Sequence, residues 1–269
     1  MSMMTPYKAI GIFDSGIGGL TVFREIMRAL PGENAVYLGD TARVPYGIKS
    51  PETIRRYSEE AASYLLSHGI KALVVACNTS SALALNVLKR RFRIPVIGVI
   101  EPGARRAVEA SRKKRIGVIG TEATVRSGAY KKAIEKYGDG VKVYQKACPL
   151  FVPLAEEGRI RDRIAALAAR EYLAEMKREG VDALVLGCTH YPLLKDVIRG
   201  AMGNGVRLID SAEEVARETL HVLRGRGILR HPSRPASYEF LVTDDPTRFK
   251  RLGSLFLGRP ISRVTRISL

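Results

Sequence analysis

The chain has 269 residues, 46% of them hydrophobic, which is enough apolar material for two small domains with cores of their own. Its 44 basic and 27 acidic side chains leave a formal net charge of +17, so an anionic partner or substrate is favoured over a cationic one. No apolar run reaches membrane-span length and the N-terminus lacks a signal-peptide layout. Three cysteines without a CxxC pair argue against a disulfide framework and for a reducing, cytoplasmic setting.

After a polar lead over residues 1–7, residues 8–13 read as a buried strand. The turn Phe13-Asp14-Ser15-Gly16-Ile17-Gly18-Gly19-Leu20 then opens a helix. Its glycines can bring backbone N–H groups to an anion. A nucleotide loop is a rival reading, but the spacing is neither GxGxxG nor followed by GK[ST], and Asp14 would repel a pyrophosphate. A plain tight turn is the third reading. A strand over 35–38 leads into Asp40-Thr41-Ala42-Arg43-Val44-Pro45-Tyr46-Gly47, a connection long enough for an active-site loop. Ser50-Pro51 then supplies an N-cap and first-turn pair, and Ile54, Tyr57, Ala61, Tyr64 and Leu65 form the apolar stripe of the helix that follows.

The strand over 73–76 runs into Cys77, and a helix is expected over 79–92. Further strands fall at 96–99, 116–119, 141–144, 184–186 and 207–209. A helix between the last two strands is expected over 192–202, and a stripe of Ile164, Leu167, Ala168, Tyr172 and Met176 marks a helix before them. Cys148, before Pro149 and outside any strand-to-helix junction, reads as a buried structural thiol. Glu156 and Glu157 close the apolar loop that follows it, either as a proton relay near a thiol or as a solvated pair. In the tail, a helix to about residue 224 precedes a loop over 225–232, an alternating strand over 238–243 and a helix opened by Pro246. The tail is expected to pack back on the first unit.

Near-continuous apolar strands alternating with helices indicate an α/β architecture with parallel sheets. The strands near Ile10, Ala35, Leu73 and Val96 recur near Gly117, Val141, Leu184 and Arg207, at a common offset of about 110 residues. Two similar α/β domains with mainly parallel sheets, facing each other across a central cleft, are therefore expected. Residues 1–97 with 211–269 would form the first and 98–210 the second. The basic residues are scattered along helices, with short clusters at 89–93 and 112–115 and no interleaved aromatics, so nucleic-acid binding is a secondary reading.

Cys77 and Cys188 stand in matched settings, each ending an apolar run and followed by small polar residues. Ligands bind beyond the carboxyl ends of strands in open α/β sheets, which would put both sulfurs on one cleft. A helix N-terminus beside each is expected to favour thiolate. Two thiols would then act as general acid and general base on opposite faces of a substrate. A zinc site from Cys77, Cys148, Cys188 and His190 is a rival that lacks close ligand pairs. A Cys188/His190 nucleophile is another, and it leaves Cys77 unexplained.

Taken in order, the 13–20 turn, Pro45-Tyr46-Gly47, Ala76-Cys77-Asn78-Thr79 and Gly187-Cys188-Thr189-His190-Tyr191-Pro192 resemble the glutamate racemases of the aspartate/glutamate racemase superfamily. The resemblance covers nearly the whole chain, including Tyr238-Glu239-Phe240 and Asp245-Pro246-Thr247-Arg248-Phe249. It implies inversion of glutamate at its α-carbon without cofactor or metal, serving peptidoglycan synthesis. It also implies that Cys77 and Cys188 exchange the proton on opposite faces. Asp14 would assist Cys77, and His190 with Glu156 would assist Cys188. Ser15, Asn78, Thr79, Thr121 and Thr189, with Pro45 and the Tyr46–Gly47 backbone, would hold the substrate alongside Asp14 and His190. An aspartate racemase is the nearest alternative. The resemblance further implies a homodimer and no membrane partner. Some relatives carry an N-terminal extension that recognises a cell-wall precursor; with seven residues before the first strand, such activation is not expected here.

Overall fold

The computed structural model describes residues 7–230 and 235–269. In chain order they form β1 (Ile10–Asp14), α1 (Leu20–Ala29), β2 (Ala35–Gly39), α2 (Pro51–Ser67), β3 (Ala72–Val75), α3 (Asn78–Leu83), α4 (Leu85–Arg91) and β4 (Val96–Gly98). Then follow α5 (Ile100–Ala110), β5 (Arg115–Gly120), α6 (Glu122–Arg126), α7 (Ala129–Tyr137), β6 (Lys142–Ala147), α8 (Phe151–Glu156), α9 (Arg163–Arg178), β7 (Ala183–Gly187), α10 (Lys195–Met202) and β8 (Arg207–Ile209). The tail adds α11 (Ser211–Gly225), β9 (Tyr238–Val242), α12 (Pro246–Leu257) and β10 (Thr265–Arg266). Positions 231 and 232 of the expected tail loop, and positions 1–6 of the lead, lie outside the described residues.

Two parallel sheets result. One runs β10-β9-β2-β1-β3-β4 and the other β6-β5-β7-β8. The second repeats the order of β2-β1-β3-β4, so β3 and β7, the strands that lead to the two cysteines, hold equivalent central places. Registers agree as well: Ile10 pairs with Ala35 and Ala72, and Ile116 with Val143 and Ala183. The tail returns to the first sheet, with Tyr238 beside Ala35 on β2.

The central strands of both sheets are buried on both faces, which is why they lack polar alternation, while the edge strands β6 and β10 are half-buried or exposed. A shared core of α1, α5 and α11 residues, among them Phe23, Ala104 and Val215, lies between the sheets. Outer cores pack Ile54, Ala61 and Leu65 of α2 on the first sheet, and Ala169, Leu173 and Ile198 of α9 and α10 on the second. The α2 stripe thus falls as the periodicity predicts, whereas that of α9 does so in part: Met176 is buried, and Ala168 and Tyr172 are half-buried against the core. Ala165, Ala169, Leu173 and Met176 face inward, while Ile164 and Leu167 are 50% and 58% exposed. The alanines let α9 approach its neighbours closely, so the inward face is marked by small residues rather than by bulk.

The expected helix over 79–92 is two helices, interrupted where Ala84 leaves helical geometry at φ −116°, ψ −19°. The helix expected over 192–202 starts as a 3₁₀ turn at Tyr191–Leu194, and α10 begins at Lys195. The Tyr191 N–H closes that turn on the Cys188 carbonyl at 3.1 Å. No helix among the described residues is long and apolar enough to cross a membrane.

Candidate active site

The strand ends supply the site. Asp14 is the last residue of β1, Cys77 lies two residues past β3, Thr121 follows β5, and Cys188 follows β7. Two glycines let the walls meet. A Cβ on Gly18 would stand 2.3 Å from Thr189 Oγ1 and 2.7 Å from His190 Nδ1, and one on Gly47 would stand 2.5 Å from Thr121 Cβ. Any side chain at either place would push the two units apart.

Both thiols are buried and line one small cleft of about 20 Å³. Cys77 donates to Ser15 Oγ at 3.5 Å. Burial, then the charge of Asp14, pushes the Cys77 thiol up to about 11, and hydrogen bonds from Ser80 and Ser15 only partly offset this. The expectation of thiolate character at Cys77 is therefore corrected. The helix that follows has six residues, too little to outweigh desolvation beside a carboxylate.

On the opposite wall, Cys188 Sγ lies 3.9 Å from His190 Nδ1, and His190 Nε2 lies 3.1 Å from Glu156 Oε1. Burial disfavours a charged imidazole, but the contacts with Cys188 and Glu156 prevail and raise His190 to about 10. Glu156 is held below the usual carboxylate range by the hydrogen bond from His190, with help from Arg248, which donates to its second oxygen at 3.2 Å. The ring of Phe256, on α12, meets His190 edge-on at 5.4 Å.

Asp14 is fully buried. Burial raises its pKa, and His190, the Gly16 and Gly19 N–H groups and the Thr189 hydroxyl oppose that rise. The Gly16 N–H donates at 2.9 Å and Thr189 at 3.4 Å, so Asp14 reaches across to the Cys188 wall while acting on Cys77 by charge. The two carboxylates are thus pushed in opposite directions, Asp14 up and Glu156 down.

Ser15, Pro45, Tyr46, Gly47, Asn78, Thr79, Thr121, Thr189 and His190 line the cleft with the two cysteines, and Asp14 and Glu156 stand one layer behind. The Tyr46 hydroxyl donates to Asp40 Oδ2 at 2.5 Å, which leaves its backbone and that of Gly47 to meet a ligand. Thr79, Thr121 and Thr124 form a triangle of hydroxyls, 3.0–3.2 Å apart, joining the two walls. Cys148 is buried away from the cleft, its thiol directed at the Lys146 carbonyl. Among the described residues, no group of three or more His, Cys, Asp or Glu could hold a metal ion. Wider recesses open on the surface, one of about 560 Å³ beside Arg112, Asp182 and Arg207, but they gather no thiol or imidazole.

Four contributors have no individual role in the sequence reading: Asp40, quoted there as the start of a candidate active-site loop, Arg248, quoted as part of the resemblance, Thr124 and Tyr130. Tyr130 donates to Asn78 Oδ1 at 2.7 Å, and Asp40 accepts from Tyr46, Arg43 and Thr243. Thr124 alone carried a local signal, since it donates its N–H to Thr121 Oγ1 in an ordinary N-cap. The partners of the others, Arg43 and Tyr46 apart, lie far off in sequence.

Residues 10–219 match the model of a family described as Asp/Glu/Hydantoin racemase. A glutamate racemase of Geobacter metallireducens is 57% identical over 98% of both chains. Among solved structures, a glutamate racemase isoform of Bacillus anthracis is 40% identical, with a TM-score of 0.94 over 98% of both chains. One from Francisella tularensis, in complex with D-glutamate, is 38% identical with a TM-score of 0.92 over the same shares. With its repeated parallel sheets and a thiol at each matched strand end, the chain belongs to the Asp/Glu/Hydantoin racemase family, on its glutamate racemase branch.

Proposed function

We propose that this chain is a cofactor-independent glutamate racemase, interconverting L- and D-glutamate for peptidoglycan synthesis. The observation that carries this reading is the pair of buried thiols at equivalent strand ends on one cleft, each backed by a different acid–base group. The neighbours of each sulfur set the roles for one hand of substrate. Cys77, held as a thiol, is the acid. Cys188, facing the protonated His190, is the base. As thiolate, Cys188 takes the α-proton, and Cys77 gives its own proton to the opposite face, so one thiol and one thiolate remain with their places exchanged. That exchanged state is the starting point for the opposite hand of substrate, with the Cys77 thiolate as base and the Cys188 thiol as acid, while Asp14 stands by Cys77 and the His190–Glu156 pair by Cys188 to orient each sulfur and to balance its charge.

The carbanion must be stabilised, because a carbon beside a carboxylate is a weak acid. Ser15, Asn78, Thr79, Thr121 and Thr189, with the backbone N–H groups of Tyr46 and Gly47, supply donors to a cleft that excludes bulk water, and Pro45 shapes its wall. The enzyme is proposed to work as a homodimer in the cytoplasm, and light scattering on the purified protein tests the assembly.

The deciding experiment incubates the protein with L-glutamate in heavy water without added cofactor, following the α-proton signal and the optical rotation. Loss of the proton with decay of rotation to zero is the expected result. Decay with L-aspartate alone would make the chain an aspartate racemase, and inertness toward both would overturn the reading.

A further inference from the structure

Asn78 occupies a place where orientation matters. It lies on the cleft, 3% exposed, immediately after Cys77. An amide carries acceptor and donor ends of nearly equal shape, and only the donor end can meet a carboxylate. Its oxygen is taken by the Tyr130 hydroxyl at 2.7 Å. Tyr130 comes from α7 in the unit of the second sheet, whereas Asn78 opens α3 beside the first, so the bond spans the two walls.

The phenol is itself held. Tyr130 is fully buried, and the side chain of Ser211, the first residue of α11, stands beside its hydroxyl and opposes the rise in its pKa caused by burial. Its ring lies against Gly187, next to Cys188, where an added Cβ would stand 3.1 Å from ring Cε2. It also lies beside Gly103 on α5, where a Cβ would stand 3.5 Å from the ring and 3.2 Å from Ser211 Cβ. The ring is thus wedged between α5 and α11, the two helices by which the chain crosses from one sheet to the other. A side chain so confined has one direction in which to donate.

We propose that Tyr130 is a positioning residue which, by donating to Asn78 Oδ1 across the closed cleft, fixes the amide with its NH2 toward the substrate carboxylate. The inference rests on the reading that Asn78 holds glutamate. Without the phenol, the amide turns freely, and in one of its two orientations presents an oxygen to an anion. The bond also forms only when the walls are together, so it prepares the amide at the moment of closure.

Tyr130→Phe keeps the ring and removes the donor. The expected result is a rise of about tenfold in KM for both enantiomers, with kcat falling by about threefold at most. Asn78→Ala raises KM as well, and adding Tyr130→Phe to it produces no further rise, because the two act as one unit. Ser211→Ala, milder and away from the cleft, raises KM in the same sense by a smaller factor, which keeps the test available should Tyr130→Phe fold poorly. An unchanged KM in folded Tyr130→Phe, or a KM increase that adds fully to that of Asn78→Ala, would overturn the proposal. A lowered melting temperature with unchanged KM would make Tyr130 a packing residue. Failure of the wild-type protein to exchange the α-proton of glutamate would instead overturn the underlying reading, and is scored before any variant.

Discussion

Neighbours, more than residue type, set the ionisation of the reacting groups. Two cysteines end two matched strands, yet one faces a buried carboxylate and the other a cationic imidazole. Cys77→Ser and Cys188→Ser should each abolish racemisation, since a serine hydroxyl is far too weak an acid to share the proton cycle. Each variant should keep one-sided elimination of a substrate analogue bearing a β leaving group, for which one base suffices. Full racemisation by either variant would refute the two-thiol mechanism. His190 also makes a prediction about stability. Its folded pKa of about 10 stands above the unfolded value of 6.5, so its contribution is complete below pH 6.5 and is lost as pH rises toward 10. Glu156 is shifted downward, so its contribution is present above about pH 4.5 and is lost as pH falls below that. Urea midpoints should therefore fall from pH 6.5 to 10 in the wild type and fall less in His190→Gln. Equal slopes would mean that the imidazole is not held charged. Asp14, Cys77 and Cys188 could be picked out from sequence because each stands at or just past a strand's end beside small polar residues, whereas the role of His190 came with the family resemblance. Tyr130 and Arg248 could not, because what marks them is a partner 52 or 92 positions away.

At the level of elements, burial on two faces made the strands readable and hid the phase of α9. A strand covered on both sides is apolar nearly throughout, and six such runs stood out, β1 to β5 and β7, while the edge strands β6 and β8 are more polar and more exposed. The inner face of α9 is built on Ala165 and Ala169, which rank below Ile164 and Leu167 in bulk, so a search for large side chains settles one residue out of phase. The connection from α11 to β9 depends on a feature with no sequence signature at all. Lys71, fully buried at the foot of β3, pairs with Glu33 at 2.5 Å and donates to the Ile228 carbonyl at 2.8 Å. The other Glu33 oxygen accepts the Arg230 N–H at 2.7 Å, and the Arg230 guanidinium reaches Gly32 O at 2.6 Å. The tail is thereby fastened to the first sheet through charges taken out of water. Lys71→Ala should destabilise the fold by about 3–5 kcal/mol, because it leaves Glu33 buried without its cation. Lys71→Met with Glu33→Leu should recover most of that loss. Denaturant unfolding of both variants decides the matter, and a cost below about 1 kcal/mol for Lys71→Ala would show that water reaches the pair.

For the whole molecule, the walls meet too closely for the substrate to enter as they stand. A cavity of about 20 Å³ holds on the order of one water, so an amino acid needs the two units to part. Among the described residues two crossings join the sheets, through α5 and α11, and each lies in the core between them, so a parting of the strand ends would turn about that shared layer. Arrival at the open cleft is where the net charge of +17 acts. Glutamate carries one negative charge at neutral pH, and a positive field raises its encounter rate without touching the proton transfers that follow closure. Added salt shortens the reach of that field from about 10 Å at 0.1 M to about 3 Å at 1 M. Thus kcat/KM should fall several-fold between low and high ionic strength, while kcat, governed by a closed site that mobile ions do not enter, stays level. The same dependence should appear with chloride salts of small and bulky cations, which separates screening from specific binding of a cation. A flat kcat/KM would mean that the basic side chains, spread over helix faces, give no net attraction at the cleft, and the charge would then have to be explained by something other than capture of glutamate.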